Sequence, residues 1–500
     1  MSTPFSSIAL CFSGGGYRAA GFALGSLSFF EKIGLLNNIK AISTVSGGTI
    51  TGVKYTQSLI ENQTFSKFFE EYYQWLNEDQ LVDNAINHIK GYSVWNQAEN
   101  KHKHKNPINA FAIEYNKLTN HKTLADFENA KTHLDRVSFN ATDFTNAIQF
   151  RFQNKDKPQR LFGNKLISED YRNLKDNIKL GDIIAASSAF PGGFEPIAFP
   201  SDFMPNSNLK DIGLMDGGIV DNQGASVFLT TSEDTNPYSL FVVNDVSSPY
   251  IKDNETFEFA ETTKFSKIIS FLASPIVLVL MLILVIYSNL KNWWWLYSIS
   301  LIIFSLQVAI NIMLFYVSAS VSKMTNLSNT FKINPQRLGK YILNRLRSLM
   351  VMSGVVMLKN DRRQNASKLY KSYNEIAITS AIYELRCKEQ NKPENALEWD
   401  KIKPYTKDIS EKIKKVSAHC TAFGTNLWFD KEAKANNTLN QLIACGEFTT
   451  CYNLIAYLVR YHEDKINEKD NYLIEIFNLL LNYWEKFQDN PMWLVNERSK

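Results

Sequence analysis

Two long apolar runs near the middle of the chain constrain its fold more than any other feature. Residues 268–289, IISFLASPIVLVLMLILVIYSN, and 296–321, LYSISLIIFSLQVAINIMLFYVSASV, contain no charged side chain. About twenty such residues make a helix long enough to cross a bilayer core, and helices of soluble proteins seldom stay uncharged all round for that length. Only LKNWWW separates the runs, with Trp293, Trp294 and Trp295 placed as an interfacial aromatic belt would be. The pattern predicts a transmembrane hairpin within 263–323, its spans at about 268–289 and 296–320. Pro275 is compatible with a membrane helix. Lys264 and Lys267 precede the first span and Lys323, Lys332, Arg337 and Lys340 follow the second, whereas the turn holds only Lys291. That asymmetry predicts an integral membrane protein with both large segments and both termini cytoplasmic. Gln307 and Asn311, four apart on one helix face, are expected to hydrogen-bond to the first span.

The hairpin divides the chain into 1–262 and 324–500. The first segment alternates short β-branched runs, clearest in SIALCF, IKAISTVS, VSFNATD and YSLFVVND, with helical patterns. This predicts an α/β fold, a three-layer sheet with helices on both faces. From 335 onward the sequence reads as mostly helical, a C-terminal region that packs on the α/β part and completes it. KHKHK, 101–105, reads as a solvated loop. With 45% hydrophobic and 13% aromatic residues the chain can bury a large core. Its net charge of +4 comes from nearly balanced bases and acids, which argues against a nucleic-acid partner. Five cysteines without paired spacing suggest neither a disulfide framework nor a metal site. MSTPFSSIALCF lacks the basic start and apolar core of a secretory signal.

SGGGYRAAG, 13–21, places three glycines between the first strand and its helix. Such a turn presents bare N–H groups at a helix N-terminus, where an anion is favoured. The anion can be a dinucleotide pyrophosphate, since Gly14, Gly16 and Ala19 fit GxGxxA, although the next strand ends without the acid that would hold a ribose. It can equally be a transient oxyanion, which requires a nucleophile nearby. IKAISTVSGGTITG supplies a strand, Ser46, the pair Gly47 and Gly48, and a helix, the setting of a nucleophile elbow, with Thr44 where GxSxG has glycine. Taken alone, Ser46 also reads as a helix N-cap and Asp216, in MDGG, as a turn residue.

The order of five segments goes further. SGGGYRAAGFALG followed by STVSGGT resembles the glycine-rich oxyanion loop and serine elbow of patatin-like lipid acyl hydrolases. FNATDF at 139–144, AASSAFPGGFEPI at 185–197 and LMDGGIVDNQG at 214–224 follow in that family's order. The resemblance covers the first half of the chain, and LIACGEFTTCYNLIAYL is similar to the closing helix of such domains. It implies Ser46 as nucleophile, Asp216 as general base and the N–H groups of Gly14, Gly15 and Gly16 as the oxyanion hole. Arg18, Gly47, Gly48, Gly217 and Gly218 would support them, and Asn140, Asp143, Ser188 and Pro191 would hold the sheet and the site wall. A serine needs a proton acceptor, and none of the seven histidines lies in a motif near the glycine loops; only His419 and His462 follow Asp216. The implied function is metal- and cofactor-free hydrolysis of acyl esters in glycerophospholipids or related lipids of a bilayer. Rivals are a lipid transacylase using the same dyad, a catalytically silent membrane scaffold or effector, and a nucleotide-dependent membrane enzyme.

Overall fold

The computed structural model describes residues 4–154, 161–229, 238–247, 274–325, 348–349, 352–387, 396–467 and 471–499. Two compact units emerge, one of Met1–Tyr250 with Leu358–Lys500 and one of Ile251–Met357.

The larger unit is built on one mixed sheet of eight strands: β1 (Ile8–Phe12), β2 (Ile39–Val45), β3 (Arg136–Asp143), β4 (Ile148–Gln153), β5 (Ile197–Phe199), β6 (Ile212–Asp216), β7 (Leu240–Asp245) and β8 (Ala377–Ala381). β8, β7, β1, β2 and β3 run parallel in that order; β4, β5 and β6 are antiparallel to their neighbours. Parallel strands are covered on both faces, which is why IALCF and LFVVND are buried at every position. Helix α1 (Gly16–Lys32) follows β1 and helix α2 (Gly47–Ile60) follows β2. β8 belongs to the region read as mostly helical: AITSA, with three small residues in five, has too weak a β-branched pattern to announce itself.

The pairing of β3 positions the site. Its residues 138–143 pair with β4 along one edge. The opposite edge is therefore shared, by β2 as far as Asn140, which faces Val45, and by β6 from Ala141, which faces Asp216. The C-terminal ends of β2 and β6 thus meet head to head against two successive residues of β3.

The helix Thr438–Tyr461 is long and apolar enough to cross a membrane, yet it is buried along its length. It crosses α1 at backbone contact. A Cβ at Gly25 would strike the carbonyl of Ile443, and one at Gly446 the carbonyl of Phe22. Ser28 donates to Glu447 and Thr450 to Ser26 across the same crossing. The KHKHK loop is not simply solvated. Lys103 is buried and pairs with buried Asp182 at 2.8 Å, while His104 Nδ1 lies 2.8 Å from Asp202.

In the smaller unit, helices Pro275–Leu290 and Trp294–Thr325 pack on each other about a turn in which Asn292 adopts a left-handed conformation. Ile276, Leu280, Ile283, Trp294 and Trp295 are exposed. Within the second helix, Trp294–Met313 is long and apolar enough to cross a membrane; the described first helix is 16 residues, about 24 Å at roughly 1.5 Å per residue. Residues 268–273 of the expected first span, and Lys264, Lys267, Lys332, Arg337 and Lys340, lie outside the described residues. Asn311 does not reach to the other helix by the bond found for it: its Nδ2 donates to the carbonyl of Gln307 at 2.9 Å.

Candidate active site

Ser46 occupies the single residue between β2 and α2 with φ 52° and ψ −122°. A non-glycine residue held there costs on the order of 1–3 kcal/mol and persists only where the surroundings over-determine it. Here they do. Ser46 N–H donates to Ser187 Oγ at 2.9 Å, Ser187 Oγ donates to Asn140 O at 2.7 Å, and Thr49 N–H donates back to Ser46 O at 2.8 Å. Thr49 Oγ1 lies 2.8 Å from Ser187 Oγ and 2.9 Å from Thr44 Oγ1. Thr44, in place of the usual glycine, fits because Gly52 on the next turn of α2 has no Cβ to meet its methyl group. Gly47 and Gly48 are required by close approach: a Cβ would meet the backbone of Gly16 at the first and the carbonyls of Phe12 and Ser13 at the second.

The three loop glycines have separable reasons. A Cβ on Gly14 would collide with the Asn222 side chain and stand 3.2 Å from Ser46 Cβ, so the loop lies against the serine. Gly15 and Gly16 have φ of 147° and 56°, which side chains resist. Gly14 N–H donates to Asn222 O at 2.9 Å and Tyr17 N–H to Asn426 O at 2.8 Å. Among the described residues no such partner takes Gly15 or Gly16 N–H. Arg18 turns toward protein rather than solvent, donating to Phe423 O at 2.7 Å and Thr421 O at 3.4 Å. Burial, with Arg362 nearby, pushes its pKa down to about 10.

Asp216 ends β6. Its N–H donates to Ala189 O at 2.9 Å, its carbonyl accepts from Thr142 Oγ1 at 2.8 Å, and its Oδ1 accepts from Gly218 N–H at 2.7 Å. Burial pushes the carboxyl up to about 6, against hydrogen bonding from the Ser46 hydroxyl and Gly218 N–H that lowers it. Both side chains sit in nearly closed surroundings, with Ser46 9% and Asp216 7% exposed. Gly217 N–H donates to Ser187 O, and a Cβ there would strike Asn140 O. Ser188, Asn140 and Asp143 are buried within this wall, whereas Pro191 lies in an exposed turn. His419, on the helix Glu411–Ala422, bonds to Thr438 at 2.8 Å and His462 to Tyr457 at 3.0 Å, each engaging a residue of the long buried helix. Among the described residues no group of three His, Cys, Asp or Glu could hold a metal ion.

Several positioning residues were not singled out from sequence. Ser187 bridges the serine, β3 and the Asp216 turn; Asn222 faces both Gly14 and Gly218. From the C-terminal region, Arg362 Nε approaches Asp245 Oδ2 to 3.0 Å and Asn365 donates to Asp221 at 3.3 Å. Serines and asparagines in helices and turns carry no spacing that would mark them.

A strained serine and a buried carboxyl at adjacent strand ends, beside a glycine turn with unused N–H groups, form an arrangement that can support nucleophilic acyl transfer. Residues 10–229 match the family model of patatin-like phospholipases, which supports a lipid hydrolase at the level of that family. No curated protein matches it. Among solved structures, that of VipD from Legionella pneumophila aligns over 94% of this chain and 93% of that one, at 11% identity and a TM-score of 0.23, which is too low to argue from.

Proposed function

We propose that the protein hydrolyses acyl esters of glycerophospholipids or related lipids through a Ser46 and Asp216 dyad, tethered to its substrate membrane by the helical hairpin. The observation that carries this reading is the shared edge of β3, which brings a serine in a strained elbow and a buried carboxyl, pushed up to about 6 by burial, to adjacent strand ends. At neutral pH that group is an ionised base matched to its task. Asp216 accepts the Ser46 proton as Oγ attacks the ester carbonyl. The resulting oxyanion faces Gly15 and Gly16, whose N–H groups are uncommitted, whereas Gly14 N–H is held by Asn222. The proton passes to the leaving lysolipid oxygen, giving an acyl-enzyme on Ser46. Water, activated by Asp216, then releases the fatty acid and restores the serine. Arg18, Gly47, Gly48, Gly217 and Gly218 act by fixing the loops around this centre. The engagement of His419 with Thr438 and of His462 with Tyr457 favours a two-residue mechanism over a relay. A fluorophosphonate probe, followed by peptide mapping, should label Ser46 in the detergent-solubilised wild type; labelling elsewhere would refute the assignment. Product analysis in isotopically labelled water separates hydrolysis from acyl transfer.

A further inference from the structure

The helix Leu358–Tyr373 belongs to the larger unit and starts directly after the smaller one ends at Met357. Its buried residues, Arg362, Asn365 and Leu369, are three and four apart and so form one inward stripe. Toward its end the helix packs through apolar groups: Leu369 lies in the core, and the Tyr373 ring is 4.5 Å from that of Phe241. Toward its start the same stripe buries an arginine and an asparagine, 3% and 6% exposed. A buried charge is costly unless it is paired, so the partners of these two are informative.

The partners are two carboxylates. Arg362 Nε stands 3.0 Å from Asp245 Oδ2, and Asn365 Nδ2 donates to Asp221 Oδ1 at 3.3 Å. Gln223 ties the two acids together, its Nε2 donating to Asp245 Oδ2 at 2.9 Å and its N–H to Asp221 Oδ1 at 3.3 Å. The chain neighbours of both acids carry the glycine loop. Asn222, after Asp221, accepts Gly14 N–H at 2.9 Å. Asn244, before Asp245, accepts Ser13 N–H at 3.0 Å, and Val246, after it, donates its N–H to Ser13 Oγ at 3.0 Å. Val246 also bounds Gly15, where a Cβ would lie 2.6 Å from its Cγ2.

We infer that Arg362, assisted by Asn365, is a positioning residue for the oxyanion loop: it sets Asp245 and Asp221, and through Asn244, Val246 and Asn222 it fixes where Gly15 and Gly16 present their N–H groups. This rests on the proposed hydrolase reading. Donors aimed at a charge that develops only in the transition state act on kcat and leave substrate binding alone. Loss of Arg362 should therefore slow the chemistry without weakening the Michaelis complex.

The test uses the full chain in detergent micelles containing phosphatidylcholine. R362M should lower kcat about tenfold with KM within about twofold. A fluorophosphonate should label R362M to the same final stoichiometry as the wild type, but about tenfold more slowly. A merely structural role would lower the final stoichiometry and leave the rate of the surviving fraction unchanged, and that result would overturn the proposal. If R362M does not fold, R362M/D245N removes the unpaired carboxylate and is read in the same way. Amide hydrogen exchange tests the positioning apart from the hydrolase reading. Residues 13–17 should exchange about tenfold faster in R362M, with β2 unchanged. Unchanged exchange at 13–17 refutes the positioning role. A wild type with no turnover and no label, with faster exchange in R362M, sinks the hydrolase reading and leaves the hold on the loop standing.

Discussion

The two sides of the candidate site are held in different ways. Ser46 and Asp216 are fixed locally, by the shared edge of β3 and by Ser187, all within the stretch that matches the family model. The glycine loop is fixed from afar. Asn426 accepts Tyr17 N–H, Phe423 and Thr421 accept from Arg18, and helix Thr438–Tyr461 presses on α1 through Gly25 and Gly446. One half of the centre is thus a property of a short segment, and the other depends on chain 400 residues later, as the Arg18 bonds span 403 and 405 positions. Local damage should destroy chemistry with the fold intact; remote damage should blunt it by loosening the loop.

The largest effects belong to the local side. Ser46→Ala should remove turnover by several orders of magnitude with circular dichroism unchanged, since a covalent role is at stake. Asp216→Asn should cost about two to four orders, the usual worth of a general base, whereas His419→Ala and His462→Ala should stay near wild type. A comparable collapse in either histidine variant would transfer the base role to it. Wild-type kcat/KM should fall as pH drops through about 6, because protonation removes the carboxylate that accepts the serine proton.

Smaller losses sharpen the contrast. Ser187→Ala leaves the buried Ser46 N–H without its acceptor, a penalty of about 1–3 kcal/mol, and should lower kcat by roughly tenfold to a hundredfold. Arg18→Ala should lower kcat about tenfold, with a larger loss of protection against proteolysis around 421–429 than around 44–49. Equal loosening of both regions would break the distinction between them.

The smallest effect concerns stability alone. Glu447, buried at the α1 crossing, is pushed up to about 8 by that burial, against bonding from Ser28. An acid that holds its proton more tightly when folded contributes stability in full below its ordinary value of 4.5 and loses it as pH rises toward about 8. Glu447→Gln should therefore raise Tm at pH 8 and leave it nearly unchanged at pH 4.5.

What could be read from the sequence follows the same division. Strands with strong β-branched patterns and the glycine turns are legible because local conformation demands those residues, whereas Ser46 and Asp216 are linked in the sequence only by the segment order that resembles the family. β8 is not legible, since AITSA is a strand only by virtue of its place beside β7. Nor is the burial of Lys103, whose partner Asp182 lies 79 residues away. Composition also fails to separate the two long apolar helices: Thr438–Tyr461 is a core element and Trp294–Met313 exposes its side chains. Thr44 departs from the usual elbow pattern, and its compensation at Gly52 is evident only once α2 is folded against β2.

The central claim is that Ser46 carries the acyl group and Asp216 moves its proton. It is tested most directly by quenching the wild-type enzyme in acid during turnover of a phospholipid bearing an isotopically labelled acyl chain, then mapping peptides by mass spectrometry. The account predicts a labelled acyl adduct on the peptide containing Ser46, absent from S46A and formed far more slowly in D216N. An adduct on another residue, or undiminished fatty-acid release by S46A, would contradict it.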